Sequence, residues 1–349
     1  MSTEQRAPSP HLPVRPEWLA LHSEPALEPG LAIIDAHHHL WDHAHNPYGP
    51  ADLLADAQAG HRILATVFVE CGAWYRTEGP PALASLGETE SVQRIAAAHG
   101  GGPCRIAAGI VGNVDLLLGA EVGAVLDAHL QAAPGRFKGI RNSSVYHPDP
   151  GARGSLANPP PGLLLDPQFR RGFACLAPRG LSFDAWMYHT QLGELADLAQ
   201  AFPGTTIVLN HVGGPIGIGP YAGQREAVFA DWRRSMSQLA RCPNVSVKLG
   251  GLGMRVFGFD FASRDQPPDS QALAQAWAPY VMASVEAFGP GRCMFESNFP
   301  VDKGSASYVV IWNAFKRITA ALGADERKAL FLQTAAGVYG IDLAGLGDQ

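Results

Sequence analysis

Short apolar segments alternate with longer amphipathic stretches along nearly the whole 349-residue chain, and this alternation constrains the fold most strongly. Apolar or β-branched composition predicts eight strands, at residues 31–35, 65–70, 105–111, 137–141, 181–185, 206–210, 245–249 and 293–297. Strands separated by helices pair in parallel, and eight such units close into a (β/α)8 TIM-like barrel. The alternative is an open doubly wound sheet. Such a sheet usually carries a glycine-rich loop after its first strand, where this chain has three histidines.

The helices between these strands fill the rest of a single barrel domain. Helical periodicity predicts them at residues 88–99, 120–132, 167–176, 191–201, 224–241, 270–288 and 305–322. The barrel is expected to span residues 31–345. Residues 1–30 hold six prolines and no apolar run, which predicts a loosely ordered N-terminal arm and not a signal peptide.

Composition narrows the class of partner. Hydrophobic residues make up 46% and charged residues 17%, and the net charge is -6 without a basic block, which argues against nucleic acid as a partner. The sequence contains no run of about 18 apolar residues, the length that a membrane span requires. The five cysteines are scattered and odd in number, as expected for reduced thiols in a cytoplasmic protein. A small-molecule substrate is the expected partner.

Two histidines two positions apart follow the first predicted strand. His37 and His39 would point to the same side of an extended chain, with His38 pointing away. Two neutral imidazoles on one side can bind a divalent metal. The alternative interpretation is a histidine-rich loop without a metal.

Polar residues also follow most of the other predicted strands, at the end where a barrel builds its active site. They are His37, His39, Trp41 and Asp42 after the first strand, Glu70 after the second, Lys138, Arg141 and Asn142 on the fourth, Asp184, Trp186, Tyr188 and His189 on and after the fifth, Asn210 and His211 after the sixth, Lys248 on the seventh, and Glu296, Asn298 and Asp302 after the eighth. A single histidine there is often structural, and Lys248 could simply pair with Glu70 or Glu296.

Four histidines at one rim favour a metal site over four unrelated structural residues. His37, His39, His189 and His211 are the predicted ligands. A metal there would polarise a carbonyl and lower the pKa of bound water to about 7, which is hydrolytic chemistry.

These motifs resemble the amidohydrolase superfamily, in its amidohydrolase-2 branch. The resemblance rests on the Asp-x-His-x-His segment that begins at Asp35, on His189, on His211 with the following Gly-Gly, and on the Asn-Phe-Pro-Val-Asp segment that begins at Asn298. It extends over residues 33–339, and within the branch it is strongest to the group of sugar-lactone hydrolases, sulfomuconolactone hydrolase and 2-pyrone-4,6-dicarboxylate lactonase.

The resemblance implies a distorted barrel, a divalent metal (zinc, or else manganese) and hydrolysis by activated water. A metal-free mechanism remains an alternative. Many relatives have the sequence Gly-Ser-Asp-x-Pro after strand eight, where the aspartate is a ligand and general base. This chain has Glu296-Ser297-Asn298-Phe299-Pro300, and the Asn298 carboxamide cannot accept a proton at neutral pH. Either Asp302 or Glu296 has taken over as base, or a metal-bound hydroxide acts alone, or the site no longer hydrolyses anything. The two carboxylates are the favoured explanation.

The leading functional hypothesis is a metal-dependent lactonase with an anionic or hydroxyl-rich substrate. Catalytic residues are expected among Asp302, Glu296, His189 and Asn298, and substrate-binding residues are Arg141, Lys248, Trp41, Trp186, Tyr188 and Glu70. Arg141 is the best candidate for a carboxylate, because its guanidinium binds in bidentate fashion. The alternatives are a non-oxidative decarboxylase of the same branch and a non-catalytic binding barrel. Trp312 and Phe315 on the last predicted helix either cover the barrel or form a homo-oligomer interface.

Overall fold

A computed structural model describes residues 11–43, 46–155, 157 and 159–346. The eight predicted strands are all present and pair in parallel in chain order, which confirms the (β/α)8 barrel. They are β1 Ala32–His38, β2 Arg62–Val69, β3 Arg105–Gly112, β4 Phe137–Arg141, β5 Ser182–Ala185, β6 Ile207–Leu209, β7 Val245–Leu249 and β8 Cys293–Phe295.

The barrel is nearly closed between its last and first strands. Among the described residues, the two edges form one isolated parallel bridge, between His38 and Phe299, instead of a continuous ladder. Asp35 reinforces this seam, because its two carboxylate oxygens accept from the Ser297 amide at 2.8 Å and from the Ser297 hydroxyl at 2.6 Å. The aspartate of the Asp-x-His-x-His segment therefore fixes the residues after β8 against β1.

Eleven α-helices lie among the described residues. They are α1 Pro16–Leu19, α2 Pro50–Ala57, α3 Leu86–Ala98, α4 Val122–Ala132, α5 Pro167–Phe173, α6 Leu192–Ala201, α7 Arg225–Leu239, α8 Ser270–Phe288, α9 Tyr308–Ile318, α10 Ala324–Lys328 and α11 Thr334–Val338. Polar caps start several of them: Asp166 accepts amides at the start of α5, and Asp269 does so for α8. The helices that periodicity did not predict, including α2, α10 and α11, are short.

The core continues from the outer helices through the strands into the barrel. Trp312 and Phe315 of α9 are buried within this chain, so they cover the barrel. A second, smaller apolar cluster joins Ile34 and Met294 of the strands to Ala335 of α11. The segment after α9 therefore packs on the barrel. No helix of the described residues has the length and apolar character needed to cross a membrane.

The N-terminal arm lies against the barrel from His11 onward. The Trp18 indole donates to the Arg264 carbonyl at 2.9 Å, and the Asn313 amide of α9 donates to the Pro25 carbonyl at 2.9 Å. Residues 1–10 of the predicted loose arm lie outside the described part of the chain. The residues that follow are held by side-chain hydrogen bonds to the barrel.

Candidate active site

A cavity of about 220 Å³ opens where the strands end. Its lining includes polar residues at or just after the ends of β1, β2, β4, β6 and β8, together with one residue of the N-terminal arm. The lining residues are His11, His39, Glu70, Cys71, Gly72, Arg141, Ser143, Gly154, Ser155, Ala157, Trp186, His211, Met254, Asn298 and Val301. Five residues of the predicted site are polar members of this wall: His39, Glu70, Arg141, His211 and Asn298.

The alternation of β1 places His37 and His39 together and His38 apart. The Nε2 atoms of His37 and His39 are 3.2 Å apart. His39 Nδ1 lies 2.7 Å from the Val69 carbonyl, which can only accept, so Nδ1 carries the hydrogen and Nε2 is left with a free lone pair. His38 instead directs its Nε2 to the Thr66 hydroxyl at 2.9 Å.

Glu296 lies between the histidines of strands one and six. Its Oε1 accepts from His211 Nδ1 at 2.7 Å, and its Oε2 is 2.8 Å from His37 Nδ1. The first contact is a hydrogen bond. The second has the distance but not the angle of one, so His37 Nδ1 and Glu296 Oε2 are both buried without a hydrogen-bond partner. Because these two atoms are only 2.8 Å apart, no ligand fits between them, and Glu296 supports both His37 and His211 from one side.

Burial keeps these imidazoles neutral. It lowers the pKa of His37, His39 and His211 well below the ordinary value, and nearby positive charges, including Arg141, lower it further. Burial also raises the pKa of Glu296 to about 8, against the opposing effect of Lys248. Neutral imidazoles are the form that binds metals.

The Arg141–Glu70 pair forms the adjacent wall. The Arg141 Nε donates to Glu70 Oε1 at 2.7 Å, and its Nη2 donates to the Glu70 carbonyl at 2.5 Å. The remaining nitrogen, Nη1, is 3.5 Å from His37 Nε2. Arg141 thus connects the strand-two carboxylate to the strand-one histidines.

Lys248 lies out of contact with the cavity, although the sequence suggested it as a substrate-binding residue. Its Nζ donates to Asp184 Oδ2 at 2.6 Å, and both side chains are fully buried. Asn210 and Tyr339 donate to the same carboxylate at 2.9 and 3.1 Å. The partner of Lys248 is therefore Asp184, and neither Glu70 nor Glu296.

Asn298 faces the cavity and Asp302 lies behind it. The Asn298 amide nitrogen donates to Asp302 Oδ1 at 2.8 Å, and the Gly253 amide donates to Oδ2 at 2.9 Å. Burial raises the pKa of Asp302 to about 8. Both Asp302 oxygens are occupied and the side chain is not part of the described cavity wall, so the structure does not bring this predicted base to the site. Its catalytic role stays a prediction.

The predicted aromatic residues divide into two groups. Trp186 lines the cavity, and its ring centroid is 4.8 Å from that of His211. Trp41 stacks on His39 from outside the described wall, with the centroids 5.9 Å apart. The Tyr188 hydroxyl accepts from the Gly154 amide at 2.6 Å, which fixes a loop of the cavity rim.

His189 lies in a separate cluster. Its Nδ1 accepts from the Ile216 amide at 3.3 Å, and its ring is 5.5 Å from that of Tyr221. Among the described residues, the group with metal-ligating geometry consists of His37, His211 and Glu296, whose donor atoms lie within 4.8 Å of one another. The structure therefore places Glu296 beside the predicted ligands His37 and His211 and leaves His189 apart. The ligand roles themselves remain predictions.

The donors present fit a single divalent ion. Two nitrogens on one tetrahedral zinc lie about 3.3 Å apart, because each Zn–N bond is about 2.0–2.1 Å. The His37 and His39 Nε2 atoms have that spacing. His39 is oriented by a carbonyl and His211 by a carboxylate, which is the usual support of metal-binding histidines.

Three polar wall residues were not singled out from the sequence: His11, Ser143 and Ser155. The Ser143 hydroxyl is buried without a hydrogen-bond partner. The sequence signal that could have identified Ser143 is its position two residues after Arg141, at the end of a predicted strand. His11 carries no such signal, because it lies outside every periodic segment.

Sequence comparison relates the chain to known proteins over nearly its full length. The amidohydrolase-2 family pattern, described as amidohydrolase, matches residues 34–341. An uncharacterized protein, y4mH, of Sinorhizobium fredii is 37% identical over 331 residues, which cover 88% of this chain and 98% of that protein. An L-fucono-1,5-lactonase of Burkholderia ambifaria is 28% identical over 324 residues, covering 90% and 98%.

Solved structures share the fold. An amidohydrolase of Burkholderia multivorans with bound zinc has a TM-score of 0.67 at 24% identity, covering 89% of this chain and 100% of that chain. A putative 2-pyrone-4,6-dicarboxylic acid hydrolase of Pseudomonas putida has a TM-score of 0.61 at 19% identity, covering 90% and 99%. The barrel, the strand-end histidines and the family match over residues 34–341 lead to one conclusion: this chain belongs to the amidohydrolase-2 family.

Proposed function

We propose that this protein is a metal-dependent hydrolase that opens a neutral, hydroxyl-rich lactone. The observation that carries the proposal is the approach of the His37 and His39 Nε2 atoms to 3.2 Å, with His39 in the same cavity wall as the Glu70 carboxylate. The first can hold a divalent ion, and the second can accept a proton from water. The similarity to an L-fucono-1,5-lactonase over nearly the whole chain supports this substrate class.

The charge of the cavity wall favours a neutral substrate over an anionic one. Among the described lining residues, Arg141 is the one permanent cation and Glu70 the one carboxylate, and they pair with each other. Beyond the metal ion, which would polarise the lactone carbonyl, a dicarboxylate would find no unpaired cation among the described lining residues. The Ser143 hydroxyl, buried without a partner, is instead suited to a substrate hydroxyl. We therefore favour the hydroxyl-rich alternative for the substrate.

His37, His39 and His211 are the residues that would hold the ion, with Glu296 orienting His211 from behind. A bound divalent ion supplies Lewis-acid polarisation of the lactone carbonyl and a lowered pKa for its water. Arg141 Nη1, 3.5 Å from His37 Nε2, is placed to donate to the oxygen that gains charge.

Glu70 handles the proton in this scheme. The Arg141 Nε donates to Glu70 Oε1 at 2.7 Å, so Glu70 Oε2 is left to accept from water. As the water oxygen bonds to the carbonyl carbon, Glu70 accepts a water proton. When the ring C–O bond breaks, that proton passes to the leaving oxygen and the product is a hydroxy acid. Asn298 cannot accept a proton, and Asp302 lies behind it.

A pH-stat assay of acid release tests the proposal. The panel contains L-fucono-1,5-lactone, other aldonolactones and 2-pyrone-4,6-dicarboxylate, each with chelator-treated protein and after zinc or manganese is restored. We expect metal-dependent opening of the neutral lactones. Glu70→Gln should lower kcat by about 10²–10⁴-fold, the usual effect of losing a general base. Glu286→Gln, on the exposed side of α8, is the matched control.

Other reaction products would indicate a different function. Carbon dioxide from an aromatic carboxylate would identify a decarboxylase, and ligand binding without turnover would identify a binding barrel. Full activity in Glu70→Gln would exclude Glu70 as the base and return that role to Glu296 or Asp302. Unchanged activity after metal removal would favour the metal-free mechanism.

A further inference from the structure

The N-terminal arm contributes a residue to the cavity wall. His11 lines the same cavity as His39, Arg141 and His211, although it precedes the family-matched region by more than twenty residues of sequence. No strand of the barrel positions it. The arm alone brings this imidazole to the cavity.

The neighbouring residues fix the arm at this position. Leu12 packs so closely on Gly304 that a methyl group on Gly304 would lie 2.6 Å from Leu12 Cβ and 2.8 Å from the Leu12 carbonyl oxygen. Arg15 donates to the Ala262 carbonyl at 2.5 Å and stacks over Trp18, which in turn bonds Arg264. Backbone contact at Gly304 and two polar contacts with the loop after β7 therefore seat the arm beside the cavity.

We propose that His11 is a substrate-binding residue, which the arm supplies to the barrel to contact a hydroxyl group of the lactone. This inference rests on the proposed function for the identity of its ligand. It adds a residue from outside the barrel to the binding site, and it makes the arm a determinant of substrate affinity.

The chemistry of His11 suits a hydroxyl group. Burial lowers its pKa, and the charges of His43 and Arg141 lower it further. A neutral imidazole has one donor and one acceptor nitrogen, which matches a hydroxyl and does not repel the nearby guanidinium. A substrate hydroxyl bound there would be held in both ground and transition states, so His11 should act mainly on KM.

Kinetics of four variants on the best lactone test the role of His11. We expect His11→Ala to raise KM about threefold to tenfold, the effect of one neutral hydrogen bond, with kcat within about twofold of the parent. His11→Gln should recover part of the loss. Gly304→Ala, which displaces Leu12, should raise KM like His11→Ala. His22→Ala, also on the arm but away from the described wall, is the control. Equal KM values for His11→Ala, His22→Ala and the parent would overturn the proposal.

Alkylation of Cys71 tests the position of the arm without a substrate. Cys71 lines the cavity and Cys175, near the end of α5, does not, so N-ethylmaleimide labelling of both is compared by peptide mass spectrometry. We expect His11→Ala and Gly304→Ala to speed Cys71 labelling relative to Cys175, and His22→Ala to leave it unchanged. If no lactone is hydrolysed, the proposed function fails but this measurement still decides whether the arm forms the wall. Burial and the charge of Glu88 raise the Cys71 pKa, so labelling is run at alkaline pH, where the parent reacts measurably. Unchanged Cys71 labelling in both variants under those conditions would show that the arm does not form the wall.

Discussion

Two fully buried carboxylates in this barrel have opposite surroundings. Asp184 receives hydrogen bonds from Lys248, Asn210 and Tyr339, so both of its oxygens are satisfied. Glu296 receives His211 on one oxygen, while its other oxygen faces an unpaired His37 nitrogen. Both oxygens of Asp184 are therefore hydrogen-bonded within the chain, and one oxygen of Glu296 is not.

This difference separates structural charge from functional charge. A satisfied buried network stabilises the fold, and the removal of one member leaves its partners unpaired. A buried carboxylate with imperfect pairing costs stability and persists where it orients the histidines that bind a ligand. We therefore expect changes at Asp184 to act on folding and changes at Glu296 to act on activity. Four variants test this comparison.

The largest effect is expected from Lys248→Met. This substitution leaves Asp184 buried without its cation, which typically costs about 3–5 kcal/mol of unfolding free energy. Denaturant titration measures the loss. The double variant Lys248→Met with Asp184→Asn should recover part of it, because the buried charge is also removed. Arg233→Ala, from an exposed ion pair, should change stability little. A Lys248→Met protein as stable as the parent would break the comparison.

Glu296→Gln should have the opposite signature. The amide oxygen can still accept from His211, but the carboxylate that orients the metal-binding imidazoles is lost. Changes to such supporting residues typically lower metal affinity or activity about 10–100-fold. We expect that loss in kcat/KM, measured by acid release, with unfolding free energy equal to or above that of the parent. A large loss of stability with normal activity would assign Glu296 to the fold.

The Glu88→Gln variant tests whether a buried carboxylate with one unpaired oxygen is necessarily part of a functional site. Glu88 Oε1 accepts from the Cys71 and Ala73 amides, whereas Oε2 is buried without a partner. Burial, with the charge of Glu70, raises the Glu88 pKa from 4.5 to about 8. The folded state therefore binds more protons than the unfolded state between these values, and stability falls as pH rises through that window.

The Glu88→Gln variant has no carboxyl group at this position, so its stability does not change with pH for this reason. We expect its Tm to equal that of the parent near pH 5 and to exceed it by a few degrees near pH 9, measured by scanning calorimetry across pH, with activity unchanged. A Tm difference that is independent of pH would rule out a raised pKa for Glu88. Loss of activity would place Glu88 among the functional carboxylates.

Tyr339→Phe should have the smallest effect. It removes one hydroxyl, 3.1 Å from both Asp184 oxygens, while Lys248 and Asn210 remain. The expected cost is about 1 kcal/mol of unfolding free energy, as for a single hydrogen bond. Denaturant titration beside Lys248→Met checks the order of the two. A larger loss than that of Lys248→Met would mean that the tyrosine, and not the lysine, satisfies the buried carboxylate.

The barrel and the meeting of the strand-end histidines were predictable because both depend on local periodicity. Alternation along β1 places His37 and His39 together, and parallel strands bring His211 to the same rim. The same rule fails after Phe295, where β8 ends and Asn298 has a φ of 55°. Sequence spacing therefore could not show that Glu296 contacts two histidines while Asp302 lies behind Asn298.

The partners of buried charges and the contribution of the arm could not be predicted from the sequence, for a different reason. Lys248 meets Asp184 because the two side chains point into the same barrel interior, which depends on the pairing of three strands. His11 reaches the cavity through contacts with loops about 250 to 290 residues further along the chain. No periodic pattern in residues 11–30 encodes those contacts.

Metal stoichiometry measures the difference between the two clusters most directly. Chelator-treated parent protein, Glu296→Gln and a His37→Asn, His39→Asn double variant are dialysed against zinc and analysed by elemental mass spectrometry. We predict one ion per chain in the parent, binding weakened about 10–100-fold in Glu296→Gln and no stoichiometric ion in the double histidine variant. A parent that binds no zinc, or a double variant that binds it as well as the parent, would contradict the assignment of His37, His39 and His211, supported by Glu296, as the metal-binding site.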